Sequence, residues 1–538
     1  MLKYETSYKE NFKPFIRVFD TETKKSKSIE IDNIYEYYMP YSKGTYTYVN
    51  DSTLKLEKYL GSAKDAKDQY GVFNPIDRYV RDNFWKTDYN ENPRIWYLDI
   101  ETRSGINSKG FPSPELALEE ICLIQIYDSV TETMYVLGLR DFELESGYST
   151  LYSLKYLKFN TEYEMLEAYL KMFAKMDPLI IYAWNGDNFD YPYIFNRLKN
   201  LGFDTQRMSN YGKVKLDKGE NFGQVTFDFS SHGHYYLDLM KVFKKFAFTT
   251  LPSYSLNSVG KSEVGETKIE HTEFVTFDSF YTGKDYEISE TPYEDKVREE
   301  IRQLKIAERD GIPFDKQRLQ NLIQFQFVWY GIQDVILLKK IDNKRNLTSI
   351  LINIACEMGC SFDEAMRTVR PWSCGLQNIY YMNRLVCPPK QEHESPNVVG
   401  GFVRDPQVGI HKWIMNMDVN SMYPMLSIKA HNMSPETFIP SYKMPSDLRQ
   451  HILTYFNSQD ESKLLSYSDE IWAKTKELLN KYNVSLGING AVFDNSKVGL
   501  IPKTVGEIYA GRKQDKKTML KYTQQSEIIK EILKNRSK

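Results

Sequence analysis

Acidic residues stand at the ends of two apolar runs in the first half of this chain. Asp99 and Glu101 close the run that begins at Ile95. Asp190 follows the run Leu179–Trp184 through a short polar turn. Runs of this length, rich in apolar and aromatic residues, predict buried β-strands. Because side chains alternate along a strand, Asp99 and Glu101 are expected to point the same way.

A predicted helix over residues 315–342 carries a third set of polar side chains. Tyr330 and Asp334 are four residues apart, so they lie on one face of that helix. Phe325 and Ile332 are placed to pack the helix onto a core. The spacing therefore predicts that this face meets the acids of the two strand ends.

Together the motifs predict that four carboxylates meet at one place, those of Asp99, Glu101, Asp190 and Asp334. Such a set can hold two divalent cations about 3.5–4 Å apart, and Tyr330 is placed to orient an attacking water. Because all the ligands are oxygen, Mg²⁺ or Mn²⁺ is expected, two in the site.

The Asp-x-Glu spacing alone is not specific. It begins at four positions, Asp20, Asp99, Asp141 and Asp285, in a chain with 72 acidic residues. The pair Asp20 and Glu22 is even followed by threonine, as Asp99 and Glu101 are. The place of Asp99 after a predicted buried strand separates it from the others.

Predicted strands alternate with helices from residue 94 onward, which indicates an α/β sheet flanked by helices. The predicted strands are Ile95–Ile100, Ile121–Tyr127, Met134–Leu137 and Leu179–Trp184, with a helix near 162–176. Residues 213–229 predict a β-hairpin and residues 294–309 a further helix. At 538 residues the chain exceeds a single core, so an α/β and α+β multidomain protein is expected.

A fourth acidic motif, Asp418-Val-Asn-Ser421-Met-Tyr-Pro424, follows a predicted strand over Lys412–Val419. It supplies one acid, half of what a second metal site needs. A last helix is predicted from a capping box at Thr504 and Glu507. Residues 501–538 hold ten Lys and Arg against four Asp and Glu, which favours phosphate contacts although the whole chain has a net charge of −2.

The first three motifs resemble the three exonuclease motifs of the proofreading 3′–5′ exonuclease in family B DNA polymerases. The segment Lys244–Leu256 resembles the T-even-type bacteriophage replicative polymerases in particular. The resemblance implies a ribonuclease H-like exonuclease domain with the four acids and Tyr330 as catalytic residues. It also implies that Asn185 and Phe189 contact DNA, and that the hairpin 213–229 helps to separate a primer end from its template.

The fourth motif resembles polymerase motif A of the same family, which commonly reads Asp-x-x-Ser-Leu-Tyr-Pro-Ser. Met422 and Met425 stand where that pattern has Leu and Ser. The resemblance implies that Asp418 is catalytic and binds metal together with the Val419 carbonyl. The resemblance also implies contacts with the incoming nucleotide. Backbone amides near Ser421 and Met422 would bind the triphosphate, and Tyr423 would lie beneath the sugar. Arg512 and Lys516, on a fingers helix, would contact the phosphates.

The sequence contains no Asp-Thr-Asp, the second palm motif of the family. The second fingers helix and the thumb are also not recognisable. We therefore expect an N-terminal domain, an exonuclease, a connector, the first part of a palm and one fingers helix. The N-terminal domain is predicted over residues 1–93 and the exonuclease over 94–345. The connector follows over 346–410, the first part of the palm over 411–503 and the fingers helix over 504–538.

The preferred hypothesis is the N-terminal subunit of a split bacteriophage DNA polymerase, acting on primer-template DNA, single-stranded 3′ ends and dNTPs. A C-terminal polypeptide would supply the rest and provide any sliding-clamp contact. Alternatives are a free-standing 3′–5′ single-strand DNA exonuclease, a non-enzymatic RNA- or DNA-binding regulatory or scaffold fragment, and a truncated gene remnant. With few cysteines and no apolar stretch of membrane-spanning length, a soluble intracellular protein is expected. The resemblance implies the cytoplasm of the infected bacterial host as its location.

Overall fold

The computed structural model describes residues 1–47, 53–60, 70–104, 111–148, 152–221, 224–247, 250–386, 405–418, 421–456, 466–487 and 489–536. The chain forms two compact units. The first consists of residues 1–33 and 75–375, and the second of residues 34–74 and 376–538.

The strands and helices lie as follows in chain order. The strands are β1 (Leu2–Glu10), β2 (Lys13–Asp20), β3 (Lys25–Glu30), β4 (Ile34–Pro40), β5 (Tyr46–Thr47), β6 (Thr53–Leu60), β7 (Tyr70–Phe73), β8 (Ile95–Thr102), β9 (Ile121–Asp128), β10 (Thr133–Gly138), β11 (Ser153–Lys158), β12 (Ile180–Ala183), β13 (Val214–Asn221), β14 (Gln224–Ser231), β15 (Tyr235–Asp238), β16 (Phe438–Ile439), β17 (Val484–Leu486) and β18 (Val492–Asp494). The α-helices are α1 (Pro75–Asn83), α2 (Glu162–Met176), α3 (Asp190–Asn200), α4 (Leu239–Phe246), α5 (Leu256–Val264), α6 (Phe277–Thr282), α7 (Lys296–Asp310), α8 (Lys316–Arg345), α9 (Leu347–Met358), α10 (Phe362–Ala365), α11 (Arg370–Met382), α12 (Ser446–Tyr455), α13 (Asp469–Tyr482) and α14 (Leu500–Arg536). Short 3₁₀-helices cover Thr205–Met208 and Ser441–Lys443, and a π-helix covers Tyr423–Ala430.

A six-stranded sheet in the order β11-β10-β9-β8-β12-β15 organises the first unit. Strand β9 runs antiparallel to β8 and β10, whereas β12 runs parallel to both of its neighbours. The carboxyl ends of β8, β12 and β15 therefore lie at one edge of the sheet. The α/β sheet expected from the sequence is confirmed. Strands β8, β9 and β10 contain their predicted segments, and β12 lies within the predicted segment Leu179–Trp184.

Alternate residues of β8 face two separate apolar cores. Trp96 and Leu98 pack with α2 and α3 on one face of the sheet. Ile95 and Tyr97 belong to the other core, to which α4 and α8 contribute. This period-two alternation places Asp99 on the face of the sheet that α8 covers.

The first three strands form a separate antiparallel sheet that a buried arginine ties to the rest of the first unit. The guanidinium of Arg17 is 1% exposed and donates to Glu5 at 2.8 Å, to the Asp177 carboxylate at 3.1 Å and to the Gly233 carbonyl at 2.6 Å. His234 packs beside this group, and its Nδ1 lies 2.6 Å from the Pro178 carbonyl. A paired, fully hydrogen-bonded charge of this kind is stable in a core only while all its partners remain.

The predicted hairpin is confirmed as β13 and β14, which pair antiparallel from Val214 opposite Ser231 to Asn221 opposite Gln224. The helices predicted at 294–309 and 315–342 correspond to α7 and α8. Helix α8 starts at a capping carboxylate, because Asp315 accepts a hydrogen bond from the Arg318 amide at 2.9 Å.

The second unit contains a sheet in the order β5-β6-β4-β7 and a smaller sheet in the order β16-β18-β17. Apolar side chains of α12 and α13 pack with β17 and β18 into a small core. The π-helix Tyr423–Ala430 contacts the first turns of α14.

The strand predicted at Lys412–Val419 is wrong over its described part, because residues 405–418 form neither helix nor strand. The apolar side chains of this segment lie in solvent, with Trp413 99% and Met417 83% exposed. A strand requires a neighbour to satisfy its backbone N–H and C=O groups. Among the described residues, no strand pairs with this segment.

The capping box predicted at Thr504 and Glu507 is also wrong, because α14 begins earlier, at Leu500. Thr504 lies inside the helix, and its hydroxyl donates to the Leu500 carbonyl at 2.9 Å. The first amides of the helix are instead satisfied by distant side chains. The Leu500 amide donates to Glu436, and the Ile501 amide donates to the Ser434 hydroxyl at 3.3 Å.

In the part of the chain that the structure describes, no helix is both long and apolar enough to cross a membrane. The four described cysteines, Cys122, Cys356, Cys360 and Cys374, are free thiols.

Candidate active site

A cavity of about 600 Å³ opens at the edge of the six-stranded sheet where β8 and β12 end, beneath α8. Every residue that the first three motifs singled out lines it. The lining residues are Asp99, Ile100, Glu101, Thr102, Ser104, Phe111, Pro112, Trp184, Asn185, Phe189, Asp190, Lys268, Thr276, Phe277, Tyr330 and Asp334. The structure thus brings together side chains that are as far as 235 positions apart in the sequence, from Asp99 to Asp334.

Three of the carboxylates form a tight cluster. Asp99, Glu101 and Asp334 each place an oxygen within 4.8 Å of the others. Strand β8 supplies the first two from one face, and α8 supplies the third from above. Asp190 begins α3 and lines the same cavity, with 3% of its surface exposed.

Burial and mutual repulsion disfavour the ionised form of these acids. Burial raises the pKa of Asp99 well above its ordinary value of 3.8, and the neighbouring carboxylates of Glu101 and Asp334 raise it further. The pKa of Glu101 is raised well above 4.5 by burial and then by Asp334. Burial also raises the pKa of Asp190 to about 7. Such a cluster carries its full negative charge only when cations neutralise it.

Lys268 supplies a cation within the cavity. Its ammonium donates to one oxygen of Asp334 and lies 3.3 Å from the Tyr330 hydroxyl. Lys268 was not predicted from the sequence, because the residue belongs to the irregular segment between α5 and α6 and to no recognisable motif.

The second oxygen of the Asp334 carboxylate, Oδ1, is buried and has no hydrogen-bond partner among the described residues. A buried acceptor without a donor is unfavourable, and a bound cation would satisfy it. The donor set of the cavity is made of carboxylate oxygens, the ligands that Mg²⁺ and Mn²⁺ prefer. The residues present therefore fit a divalent metal centre.

A turn after β12 carries the residues that begin the second motif. Asn185 has a left-handed backbone, with φ of 62°. Its amide donates to Asp238 Oδ1 at 2.9 Å, and its side-chain carbonyl accepts from the Asn188 amide group at 2.8 Å. Asp238, the last residue of β15, thus fixes the turn, although no motif identified it. Its position after the apolar run Tyr235–Leu237 is the signal that the sequence offered.

Aromatic side chains form one wall of the cavity. The rings of Phe111 and Phe189 lie 5.0 Å apart, and Phe111 is 79% exposed. Trp184 is held by a hydrogen bond from its indole to the Tyr254 carbonyl at 3.1 Å. An exposed ring beside an acidic cavity offers a stacking surface for a nucleobase. Phe111 was also missed by the sequence analysis.

The residues of the fourth motif lie in the second unit, and the structure does not group them into an acidic cluster. Asp418 is exposed, and Val419 lies outside the described residues. Ser421 has φ of 52°, and Tyr423, which starts the π-helix, is 71% exposed. Met422 directly precedes Tyr423. Arg512 and Lys516, which were also predicted to contact the nucleotide, lie exposed on α14. Among the described residues, the three-carboxylate cluster of the first unit is the one group with metal-ligand spacing.

Comparison with known proteins gives two family matches. The exonuclease domain of DNA polymerase family B matches residues 71–259, and DNA polymerase family B matches residues 367–537. The DNA-directed DNA polymerase of Escherichia phage RB69 is 26% identical over 468 residues, which cover 82% of this chain and 44% of that protein. The DNA-directed DNA polymerase of Enterobacteria phage T4 is 27% identical over 462 residues, with the same shares.

An archaeal relative matches a shorter stretch. DNA polymerase 1 of Pyrococcus abyssi is 26% identical over 285 residues, 52% of this chain and 31% of that protein. The chain therefore spans less than half the length of the phage polymerases that it matches.

Proposed function

We propose that this chain, which belongs to the family B DNA polymerases, carries a metal-dependent 3′–5′ exonuclease in its first unit. We further propose that its second unit provides the first part of a polymerase site. The observation that carries the first proposal is the cavity in which Asp99, Glu101 and Asp334 approach within 4.8 Å beside Asp190.

The four carboxylates are the proposed ligands of two Mg²⁺ or Mn²⁺ ions. When bound, such ions activate an attacking water and stabilise the leaving 3′ oxygen of a phosphodiester. Burial raises the pKa of the Tyr330 hydroxyl, so this group keeps its proton and orients water as a hydrogen-bond donor. Lys268 offsets the negative charge of the phosphate and holds one Asp334 oxygen in place.

The cavity wall suits a single-stranded 3′ end. Phe111 and Phe189 offer ring faces to the terminal bases, and Asn185 lines the same cavity. Stacking on aromatic side chains tolerates any base, as a proofreading exonuclease requires. A paired primer end has its bases stacked in the duplex, so the proposed substrate is a frayed or single-stranded end.

The proposal is tested by digestion of a 5′-labelled single-stranded DNA with Mg²⁺. We expect shortening from the 3′ end by single nucleotides. The double variant Asp99→Ala with Glu101→Ala should lose activity by at least about a hundredfold, because its metal ligands are removed.

The matched control is the double variant Asp20→Ala with Glu22→Ala. It removes a pair with the same Asp-x-Glu-Thr spacing from the N-terminal sheet, where Asp20 pairs with Lys27 at 3.2 Å. The control should digest DNA at the wild-type rate. If the Asp99→Ala with Glu101→Ala variant digested DNA as fast as the control, the proposed site would be wrong. If the wild type had no activity, a binding or scaffold fragment would be favoured.

For the second unit, we propose a C-terminal polypeptide that completes the polymerase site in the bacterial host of a phage. Support comes from motif A at Asp418 and from apolar side chains exposed along α14. These side chains are Ile508, Met519, Leu520, Ile528, Ile529, Ile532 and Leu533. Buried against a partner, each would stabilise a complex by up to about 1.5–3 kcal/mol.

Size-exclusion chromatography with light scattering tests this partner, using the product of the adjacent downstream reading frame. A 1:1 complex that extends primers, when neither chain does so alone, would support a split polymerase. A chain that forms no complex with the partner but degrades single-stranded DNA would favour a free-standing exonuclease. The second outcome has its own structural support, because every residue lining the acidic cavity belongs to the first unit.

A further inference from the structure

A buried glutamine faces the acidic cluster from the next strand. Gln125 of β9 lies directly opposite Asp99 of β8 in the antiparallel register. Side chains of directly opposed residues leave an antiparallel pair on the same face, so Gln125 also points toward α8. Its side chain is 0% exposed, and neither its amide nitrogen nor its amide oxygen has a hydrogen-bond partner among the described residues.

Helix α8 leaves a gap for this amide. A Cβ placed on Gly331 would overlap the amide nitrogen of Gln125. The backbone of Gly331 is helical, so the position requires glycine for space and not for conformation. The gap lies between Tyr330 and Asp334, the two residues of α8 that line the cavity.

An unpaired acceptor lies one helical turn along from the gap. Asp334 follows Gly331 by three residues, which puts both on one face of the helix. Helical side chains tilt back toward the N-terminus of their helix, so the Asp334 carboxylate leans toward Gly331. Lys268 occupies one of its oxygens, whereas Oδ1 has no partner within the described part of the chain.

We propose that Gln125 is a positioning residue of the metal centre, whose amide N–H donates to Asp334 Oδ1 when that carboxylate binds metal. The donor and the acceptor are both buried and unpaired beside the same turn of α8. The bond would fix the orientation of the carboxylate, as hydrogen-bond partners of metal-binding carboxylates generally do. This inference rests on the proposed exonuclease and adds a residue of this chain to it.

Gln125→Met tests the inference, because methionine keeps the length of glutamine and removes the amide. Mn²⁺ binding is measured from the electron paramagnetic resonance signal of the free ion, which requires no catalysis. Loss of a partner of this kind weakens metal binding by about 10–100-fold, and we expect a change in that range. The melting temperature without metal should stay equal or rise, because an unpaired buried amide is removed.

Gln324→Met is the matched control. Gln324 is also buried at 5% exposure with an amide oxygen unpaired among the described residues, but it lines a different cavity near Arg140. Its substitution should leave Mn²⁺ affinity at the wild-type value. Equal loss of affinity in both variants would overturn the positioning role, because it would reflect a general effect on the core.

Substitution of the glycine separates positioning from space filling. Gly331→Ala displaces the Gln125 amide and should weaken Mn²⁺ binding and lower the melting temperature. The double variant Gly331→Ala with Gln125→Ala relieves the overlap, so its melting temperature should recover while Mn²⁺ binding stays weak. Recovery of both quantities would show that Gln125 merely fills space and would overturn the inference.

Wild-type Mn²⁺ binding and nuclease activity are measured beside the variants. A wild-type chain that binds no Mn²⁺ would contradict the proposed function and the inference together. A wild-type chain that binds Mn²⁺ and digests DNA, with Gln125→Met binding equally well, would contradict the inference alone. At saturating Mn²⁺ the nuclease rate of Gln125→Met should return toward that of the wild type, since the variant retains every proposed ligand.

Discussion

At the scale of single residues, the carboxylates proposed to bind metal in the acidic cavity lower the stability of the fold. Asp99, Glu101 and Asp334 are brought together in a largely buried place where their charges repel. Without cations this arrangement destabilises the fold, and the proposed bound cations would offset the repulsion. Lys268 relieves the repulsion in part, because it donates to Asp334.

Glu101→Gln should therefore stabilise the metal-free protein while abolishing nuclease activity. In the folded protein the pKa of Glu101 is raised above its ordinary value of 4.5. The folded wild type therefore loses stability as the pH rises from 4.5 towards the raised pKa. The variant lacks this loss, so we expect its free energy of unfolding at neutral pH to be larger by about 1 kcal/mol.

Urea unfolding of both proteins in the presence of a chelator measures the difference at pH 4 and pH 7.5. The advantage of the variant should shrink at pH 4, where the carboxyl is protonated in both states. A variant that is less stable than the wild type at pH 7.5 would contradict the electrostatic account.

His234 should make the first unit sensitive to acid. Burial, and then the nearby Arg17, lower the pKa of His234 from 6.5 to about 3. The unfolded chain takes up a proton below pH 6.5 that the folded chain refuses, so stability is present above that pH and falls below it. The loss attributable to one group approaches about 1.4 kcal/mol per pH unit between these two values.

His234→Gln removes the titrating group and keeps polar atoms near the Pro178 carbonyl. The free energy of unfolding of this variant should fall less steeply than that of the wild type between pH 6.5 and pH 4. Parallel slopes in chemical denaturation would show that His234 does not titrate on unfolding.

At the scale of elements, local patterns predicted the parts of the sheet and the helices that carry the first site. The runs at Ile95 and Leu179 form buried strands, and the spacing of Tyr330 and Asp334 matches one face of α8. These elements are specified by their own periodicity. Lys268 and Phe111 could not be predicted, because each enters the site through packing between segments that are distant in sequence. Asp238 was missed although it ends the apolar run Tyr235–Leu237.

The two errors in the second unit have the same origin. The start of α14 is fixed by Glu436 and Ser434, which satisfy its first amides from 64 or more residues away. The segment at Trp413 has the apolar composition of a strand but no pairing strand in the described structure. A local pattern cannot supply a distant partner.

The hairpin β13–β14 should matter for paired DNA ends and not for single strands. Residues 217–228 can be replaced by Asn-Gly, because Leu216 and Phe229 pair directly and this turn suits a two-residue hairpin connection. We expect digestion of single-stranded DNA to be unchanged and digestion of a paired primer end to fall by about tenfold, the equivalent of 1.4 kcal/mol of lost strand separation.

Gel analysis of a 5′-labelled primer, alone and annealed, measures both rates. Equal rates for the shortened and the intact protein on the annealed primer would remove the role proposed for the hairpin. Loss of activity on both substrates would mean that the hairpin supports the fold of the first unit.

At the scale of the whole molecule, the acidic cavity and the motif that begins at Asp418 belong to different compact units. The first unit contains every residue proposed for phosphodiester hydrolysis. The second unit contains Asp418 and, among its described residues, no second acidic cluster. We therefore propose that hydrolysis in the first unit does not require the residues of the second.

Asp418→Ala should leave nuclease activity within about twofold of the wild type, since Asp418 does not line the acidic cavity and substitutions without shared partners usually act independently. In a complex with the proposed C-terminal polypeptide, the same substitution should abolish primer extension. Parallel assays of digestion and extension measure the two effects. A variant that loses digestion as well would show that the two units act as one site.

Sulfur substitution in the DNA tests whether the buried carboxylates hold metal ions against a scissile phosphate. The measurement is the rate of removal of a 3′-terminal nucleotide whose linkage carries sulfur in place of one non-bridging oxygen. Sulfur is a soft ligand that Mg²⁺ binds poorly and Mn²⁺ binds better. We expect one diastereomer to be cleaved at least about tenfold more slowly than the oxygen substrate with Mg²⁺, and Mn²⁺ to restore most of the rate. An oxygen-to-sulfur rate ratio that is the same with both metals, or digestion that continues in the Asp99→Ala with Glu101→Ala variant, would contradict the proposal.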